Sequence, residues 1–206
     1  MKRVTEQLII ANIAVFVLQK TLPGVFLLAH FALWPIGNFP TDVGTTVGFE
    51  PWQLITYAFL HDPSSLTHIG FNMFTLWMFG REVEAALGSR RFLYLYFASV
   101  LSAGIVQLIV MTMTLDQNVG PTLGASGGVF GVLLGFGMLF PKRRVMLMFP
   151  PIPMPAWVLV AGYGAVELAT GVFRTQDGIA HFAHLGGMLG AFIVLFIAGR
   201  RRSQLP

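Results

Sequence analysis

Ser126 stands between glycines in Gly124-Ala125-Ser126-Gly127-Gly128, at the start of an apolar run. By itself such a serine is ordinary, because small residues let membrane helices pack closely. Its company gives it chemical meaning. His68 and Asn72 fall in one hydrophobic segment and His184 in another. A hydroxyl with an imidazole in reach is a nucleophile with its base, and extra donors beside them can hold an oxyanion. The base is needed, since a serine hydroxyl is a weak nucleophile near neutral pH. The candidates within apolar runs are His68, His181, His184 and Glu167. Ionisable side chains in a span are costly and usually face the bundle interior.

Spacing adds to this. His68 and Asn72 are four residues apart and project from one helix face, so both can aim donors at a shared position. The plainer reading is two interior side chains hydrogen-bonded across helices. His181-Phe182-Ala183-His184-Leu185-Gly186-Gly187 carries two histidines three apart, followed by Gly190 and Ala191. The Gly186/Gly190 pair, with Gly187 and Ala191 beside it, permits close approach of another helix. Gly124, Gly127 and Gly131 offer the matching small surface, which would bring Ser126 toward His184.

The elements that must hold these residues are set by composition. Of 206 residues 55% are hydrophobic and only 11% charged, and mean hydropathy is +0.71. A soluble domain carries about 25% charged residues. This chain cannot cover its surface with polar groups, so the class is integral membrane protein. The absence of cysteine excludes disulfides, thiolate catalysis and cysteine-bound metal. Although the pI is near 9.9, the basic residues form short clusters between apolar runs. That is the pattern of topology signals and lipid-headgroup contacts, and no nucleic-acid partner is expected.

Six apolar segments are expected as membrane-spanning helices, at about 8–31, 66–83, 92–113, 126–140, 156–172 and 179–198. The first is loosened by Pro23-Gly24. No repeat or low-complexity tract divides them, so residues 1–206 are read as a single all-α, polytopic six-helix bundle. Between the first two segments lies a large loop with Trp34, Pro35, Pro40, Pro51 and Trp52. It is too polar to span and is read as lying at the membrane interface, where tryptophans tend to sit. Lys2-Arg3 precede a long apolar stretch without a clear small-residue cleavage site, so no signal peptide is read. The absence of a transit-like leader favours a bacterial or archaeal plasma membrane over an organelle.

Orientation follows from positive charge. Lys2, Arg3, Arg81, Arg90, Arg91, Lys142, Arg143, Arg144, Arg200, Arg201 and Arg202 all fall on one side of a six-span topology, leaving Lys20 and Arg174. The positive-inside rule makes that side cytoplasmic, with both termini on it. Segments two, four and six then run from outside to inside. His68, Ser126 and His184 lie near their outer ends and share one depth. Segment four is short: fifteen residues rise about 22 Å against a hydrocarbon core of roughly 30 Å. Ser126 should therefore sit about 8 Å below the outer surface, with the 114–125 loop dipping to meet it. Non-helical backbone at that depth needs protein or a water-filled cavity around it. A wet cavity opening outward is what a hydrolase in a membrane requires.

These residues resemble the rhomboid family of intramembrane serine proteases in its compact six-helix form. The likeness rests on His68-Ile69-Gly70-Phe71-Asn72 for the family's H-x-x-x-N, Gly124-Ala125-Ser126-Gly127 for G-x-S-G, and Ala183-His184-Leu185-Gly186-Gly187 for A-H-x-x-G. The Glu84…Leu87-Gly88-Ser89 turn is similar too. G-x-S-G alone is a weak signal; the three motifs in order on helices two, four and six are a strong one.

The resemblance implies Ser126 as nucleophile and His184 as general base and then acid, a dyad without an aspartate. It implies an oxyanion site from the Ser126 backbone N–H with His68 and Asn72, supported by Gly124. It further implies an endopeptidase that cuts single-span membrane-protein substrates near the outer face, in contact with lipid, with no cofactor and no metal. Two departures stand out. The family often has tyrosine four residues after the serine, where this chain has Phe130; stacking on the histidine ring can survive but a hydroxyl contact cannot. The family's loop often carries Trp-Arg, where this chain has Trp52-Gln53.

His181 would lie one turn closer to the outside and is read as a histidine at the mouth meeting water. Glu167 is read as a structural hydrogen bonder that needs a partner, and His61 is given no role. The runs of Phe71, Phe74, Trp77 and Phe79 and of Met111, Met113, Met146 and Met148 are read as packing and interface side chains. The competing reading is a catalytically inactive relative that binds membrane helices as an adaptor or chaperone. A bis-histidine haem protein leaves the serine and its glycines without a job, and a zinc protease lacks its His-Glu-x-x-His.

Overall fold

Apolar runs set where the helices form, and proline, glycine and charge set where they stop. A computed structural model describes residues 3–22, 24–40, 46–114, 120–146, 151–173 and 180–203. Helix α1 is Val4–Thr21 and α2 is Gly24–Phe31, so the expected first segment is two helices rather than one. Leu22 between them is extended. Its neighbour Pro23 explains this, because a proline ring pushes the preceding residue out of the helical region.

In the following loop a two-residue ladder, β1 Phe39–Pro40 with β2 Thr46–Val47, precedes α3, Gln53–Thr56, which tightens into a 3₁₀ turn at Tyr57–Phe59. Helix α4 is Leu66–Thr75; it widens into a π turn at Leu76–Gly80 and continues as α5, Arg81–Leu87. The second segment thus runs past its expected end at 83, stopping at Gly88, whose φ is +80°. Then come α6, Ser89–Met113, and α7, Ser126–Leu139. Strands β3, Arg144–Met146, and β4, Pro153–Pro155, pair antiparallel, which the sequence does not announce. Helices α8, Ala156–Phe173, and α9, His181–Ser203, complete the chain. Three described helices are long and apolar enough to cross a membrane: α6, α8 and residues His181–Gly199 of α9. Helix α7 is apolar but shorter, as expected for segment four.

Helices α6, α7 and α9 pack as a close triangle, and small residues explain how. A Cβ on Gly187 of α9 would run into the Gly127 carbonyl oxygen of α7. Gly186 and Gly190 instead face α6: their Cβ atoms would meet the Ala103 Cα at 3.0 Å and the Ala98 oxygen at 2.5 Å. The small-residue face expected against helix four is therefore divided between two neighbours. Gly187 takes α7 while Gly186 and Gly190 take α6.

At the opposite end to Ser126, the buried Glu84 carboxylate ties α1 to α5. It accepts from the Val4 N–H (2.8 Å), the Thr5 N–H (2.9 Å), the Thr5 hydroxyl (2.7 Å) and the Ser89 hydroxyl (2.7 Å). The first N–H groups of α1 have no acceptor in their own helix, and a negative charge suits the positive end of its dipole.

The loop between α2 and α4 is knitted by Gln53, which is fully buried. Its oxygen accepts from the Trp34 and Glu50 N–H groups (both 3.2 Å), and its amide donates to the Gly48 carbonyl (3.2 Å). A neutral amide thus organises the loop from within. Farther along, Gln19 of α1 pairs with the backbone of His61 through two hydrogen bonds of 2.9 Å. The His61 ring is fully buried and meets the His68 ring edge-on, with centroids 5.2 Å apart. Burial, and then the neighbouring His68, push the His61 imidazole down to about 4, which the Phe59 carbonyl offsets only in part. The folded state therefore binds its proton less readily than the unfolded chain. Stability from this residue is present above the ordinary value of 6.5 and is lost as pH falls to about 4. The gap is worth up to ~3 kcal/mol. Thermal unfolding in detergent between these pH values should show acid destabilisation that His61→Leu reduces; equal pH dependence in both proteins would contradict it.

Candidate active site

Ser126 is the first residue of α7, where helical N–H groups lack an intrahelical acceptor and point outward. The strand-like segment before it is held by the loop between α2 and α4. Leu33 and Thr122 exchange two backbone hydrogen bonds of 2.9 Å, and the Gly124 N–H donates to the Tyr57 carbonyl (3.0 Å). Tyr57 is itself locked, buried with its hydroxyl on the Val100 carbonyl of α6 at 2.8 Å. The non-helical backbone beside Ser126 is thus satisfied by protein.

Gly124 is where this approach turns. Its φ of +125° disfavours any side chain, and a Cβ there would lie 2.9 Å from His68 Nε2. The absence of that carbon lets His68 come up against the turn. Ser65 caps α4 by accepting the His68 N–H (3.2 Å), which fixes where that helix begins. The Asp62 N–H approaches His68 Nδ1 at 3.5 Å. A neutral ring that accepts at Nδ1 carries its proton on Nε2, toward Gly124. Asp62 itself is kept below the usual carboxylate value by the Ser64 hydroxyl and N–H. Asn72 is buried and gives one amide hydrogen to the His68 carbonyl (2.9 Å), leaving its second for the cavity.

On the other side of the serine is His184 of α9. Its Nε2 lies 2.9 Å from Ser126 Oγ. The Phe130 ring, one turn along α7, stacks flat on the imidazole, with centroids 4.2 Å apart and planes 5° apart. Stacking without a hydroxyl is thus retained where the family often has tyrosine. His68, Asn72, Ser126, Phe130 and His184 all line one cavity of about 1360 Å³ between α4, α7, α8 and α9. The structure therefore gathers every residue singled out from the sequence for chemistry: Ser126, His184, His68, Asn72 and Gly124.

One side chain, His181, stands otherwise than expected, and a second, Glu167, reaches farther than expected. His181 does not meet water at the mouth but is buried, with Nδ1 2.6 Å from Glu167 Oε2 and 3.0 Å from Thr170 Oγ1. Glu167 finds the partner its charge requires, and it reaches His184 as well, with Oε2 2.9 Å from Nδ1. Among the described residues, Glu167, His181 and His184 form a group whose donor atoms lie within 4.8 Å of one another, close enough to suggest a cation site. Sequence reasoning missed this grouping. The only signal was a carboxylate in an apolar run, which must be paired by something.

With this geometry in view, comparison with known proteins is informative. A sequence profile of the Rhomboid domain matches residues 48–201. Rhomboid protein 1, mitochondrial, of Saccharomyces cerevisiae is 36% identical over 147 residues, covering 71% of this chain and 42% of the yeast protein. Presenilin-associated rhomboid-like protein, mitochondrial, of Bos taurus is 27% identical over 187 residues, 83% of this chain and 46% of that protein. Rhomboid protease GlpG of Klebsiella pneumoniae is 27% identical over 211 residues, 97% of this chain and 65% of that protein. The chain thus spans less than two thirds of each of these relatives. The matched profile covers α3 to α9 and includes Ser126, His184, His68 and Asn72: this membrane protein belongs to the rhomboid family.

Proposed function

We propose that the protein is an intramembrane serine endopeptidase. The observation that carries the reading is the 2.9 Å contact between Ser126 Oγ and His184 Nε2 inside the cavity. His184 takes the hydroxyl proton as Ser126 attacks a peptide carbonyl and later returns it to the leaving amine. The carbonyl oxygen, becoming negative, is met by the Ser126 N–H at the start of α7 and by His68 and Asn72. The name of the Klebsiella relative, a rhomboid protease, points the same way.

The substrates are single-span segments of other membrane proteins. Phe71 and Phe74 of α4 and Tyr163 of α8 border the cavity, an apolar margin suited to a lipid-borne helix. Because a helix hides its amides, the substrate must unwind locally where it is cut. The clustering of basic residues supports a topology of six spans with both termini cytoplasmic and the cavity opening to the other face. Plasma-membrane placement belongs to the same proposal, and fractionation tests it.

The test is cleavage of a single-span reporter helix in membranes holding wild type, Ser126→Ala or His184→Ala. Product from wild type and neither variant supports the reading. Absence of product from wild type across a substrate panel would favour an adaptor that binds membrane helices without cutting them.

A further inference from the structure

The one ionisable group of α8 that reaches the serine–histidine pair is Glu167, and its geometry goes beyond a dyad. His184 accepts the Ser126 hydroxyl proton only if Nε2 is bare, which puts the ring proton of a neutral imidazole on Nδ1. That nitrogen faces Glu167 Oε2 at 2.9 Å. The approach lies off the ideal hydrogen-bond line, and among the described residues Nδ1 has no better-aligned acceptor. Such contacts in ligand-free sites often tighten only when the reaction begins. The carboxylate is in turn held by His181, whose Nδ1 donates to the same oxygen at 2.6 Å.

We propose that Glu167 is a positioning residue for His184, making Ser126, His184 and Glu167 a triad in which His181 fixes the carboxylate. The inference rests on the protease reading above and deepens it. The carboxylate selects the tautomer with Nε2 free, holds the ring against rotation alongside Phe130, and balances the positive charge that His184 acquires when it takes the serine proton. His181 keeps Glu167 from swinging away and shares its charge in an apolar surrounding, where an unpaired carboxylate would be costly. No proton passes to Glu167 in this scheme.

The alternative occupant of the cluster is a metal ion, and the spacing argues against it. Two ligands about 2.0–2.1 Å from a tetrahedral zinc stand about 3.3 Å apart. Glu167 Oε2 is 2.6 Å from His181 Nδ1 and 2.9 Å from His184 Nδ1, separations that suit shared hydrogens. A metal on His184 Nδ1 would also leave the ring proton on Nε2, where it blocks the base.

The experiment compares kcat and KM for a reporter helix in wild type, Glu167→Gln and Ser126→Ala. Glutamine keeps the shape and removes the charge. The expected result is a kcat lower by about 100-fold, at the low end of what an oriented acid–base group contributes, with KM within about twofold because no substrate contact is lost. A Glu167→Gln kcat within about threefold of wild type, while Ser126→Ala is inactive, would overturn the triad and leave the protease reading standing. Full activity in Ser126→Ala would overturn both. If Glu167→Gln does not fold, imidazole resonances of ¹⁵N-histidine in the wild-type protein decide the matter. The proposal requires a low-field Nδ1 proton on the residue whose signals vanish in His184→Ala, and a proton on Nε2 instead would contradict it.

Discussion

Gly187→Ala is expected to lower the thermal unfolding midpoint sharply, although alanine is the better helix former. On propensity alone the change should stabilise α9 by about 1 kcal/mol. The local geometry reverses the sign. The added methyl would collide with the carbonyl oxygen of Gly127, which is backbone and cannot rotate away as a side-chain tip can. Relief requires α7 and α9 to move apart across a contact that also involves Gly131, whose own Cβ would lie 2.9 Å from the Gly187 oxygen. Overpacking of a core costs typically 1–3 kcal/mol, and a backbone obstacle belongs at or above the top of that range. A cost of about 3 kcal/mol corresponds to about 6–12 °C in a chain of this size. Gly162→Ala is the control, since nothing lies within 4 Å of its Cβ position. It should leave the midpoint unchanged or slightly raised; an equal loss at both sites would show that close helix contact is not the cause. Function follows packing here, because separating α7 from α9 also separates Ser126 from His184.

The second large effect is chemical. Ser126→Ala and His184→Ala should each reduce turnover of a reporter helix by about 10⁴-fold or more, and the double variant should be no worse than either single one. Nucleophile and base act as a unit, so removing one leaves the other nothing to do. The oxyanion donors then give only a residual rate, whichever partner is missing. Fold stability should separate the two variants. Ser126→Ala removes a single hydroxyl, whereas His184→Ala also strips Phe130 of its stacking partner and Glu167 of an imidazole 2.9 Å away. Multiplying losses in the double variant would mean that the two residues contribute independently, contrary to the mechanism.

How much of this was legible in the sequence varies with the kind of physics. Helices α6 to α9 begin within three residues of their expected starts, because apolar runs and their breaks are one-dimensional signals. The break at Leu22 was only half legible: Pro23 marked it, but length argued for one segment. The continuation of α4 through a π turn to Leu87 was missed, since the apolar run was ended at 83 while the helix stops at Gly88. Small residues predicted close packing, but spacing alone assigned the whole face to helix four. Gly186 and Gly190 instead went to α6 while Gly187 alone met α7. Polar side chains were the least legible. Gln53 occupies the place of an expected arginine yet organises the loop by neutral hydrogen bonds. His181, expected at water, is buried on Glu167. Pairing of that kind is decided by three-dimensional proximity, on which residue type and spacing are silent.

The central claim is that Ser126 is a nucleophile made reactive by His184. It is tested most directly by treating the protein in its native membrane with a fluorophosphonate and mapping the adduct by mass spectrometry. The account predicts a single phosphonylated residue, Ser126, in the wild-type protein and loss of labelling in His184→Ala with the fold intact. Labelling at another serine, or undiminished labelling of Ser126 without His184, would contradict it.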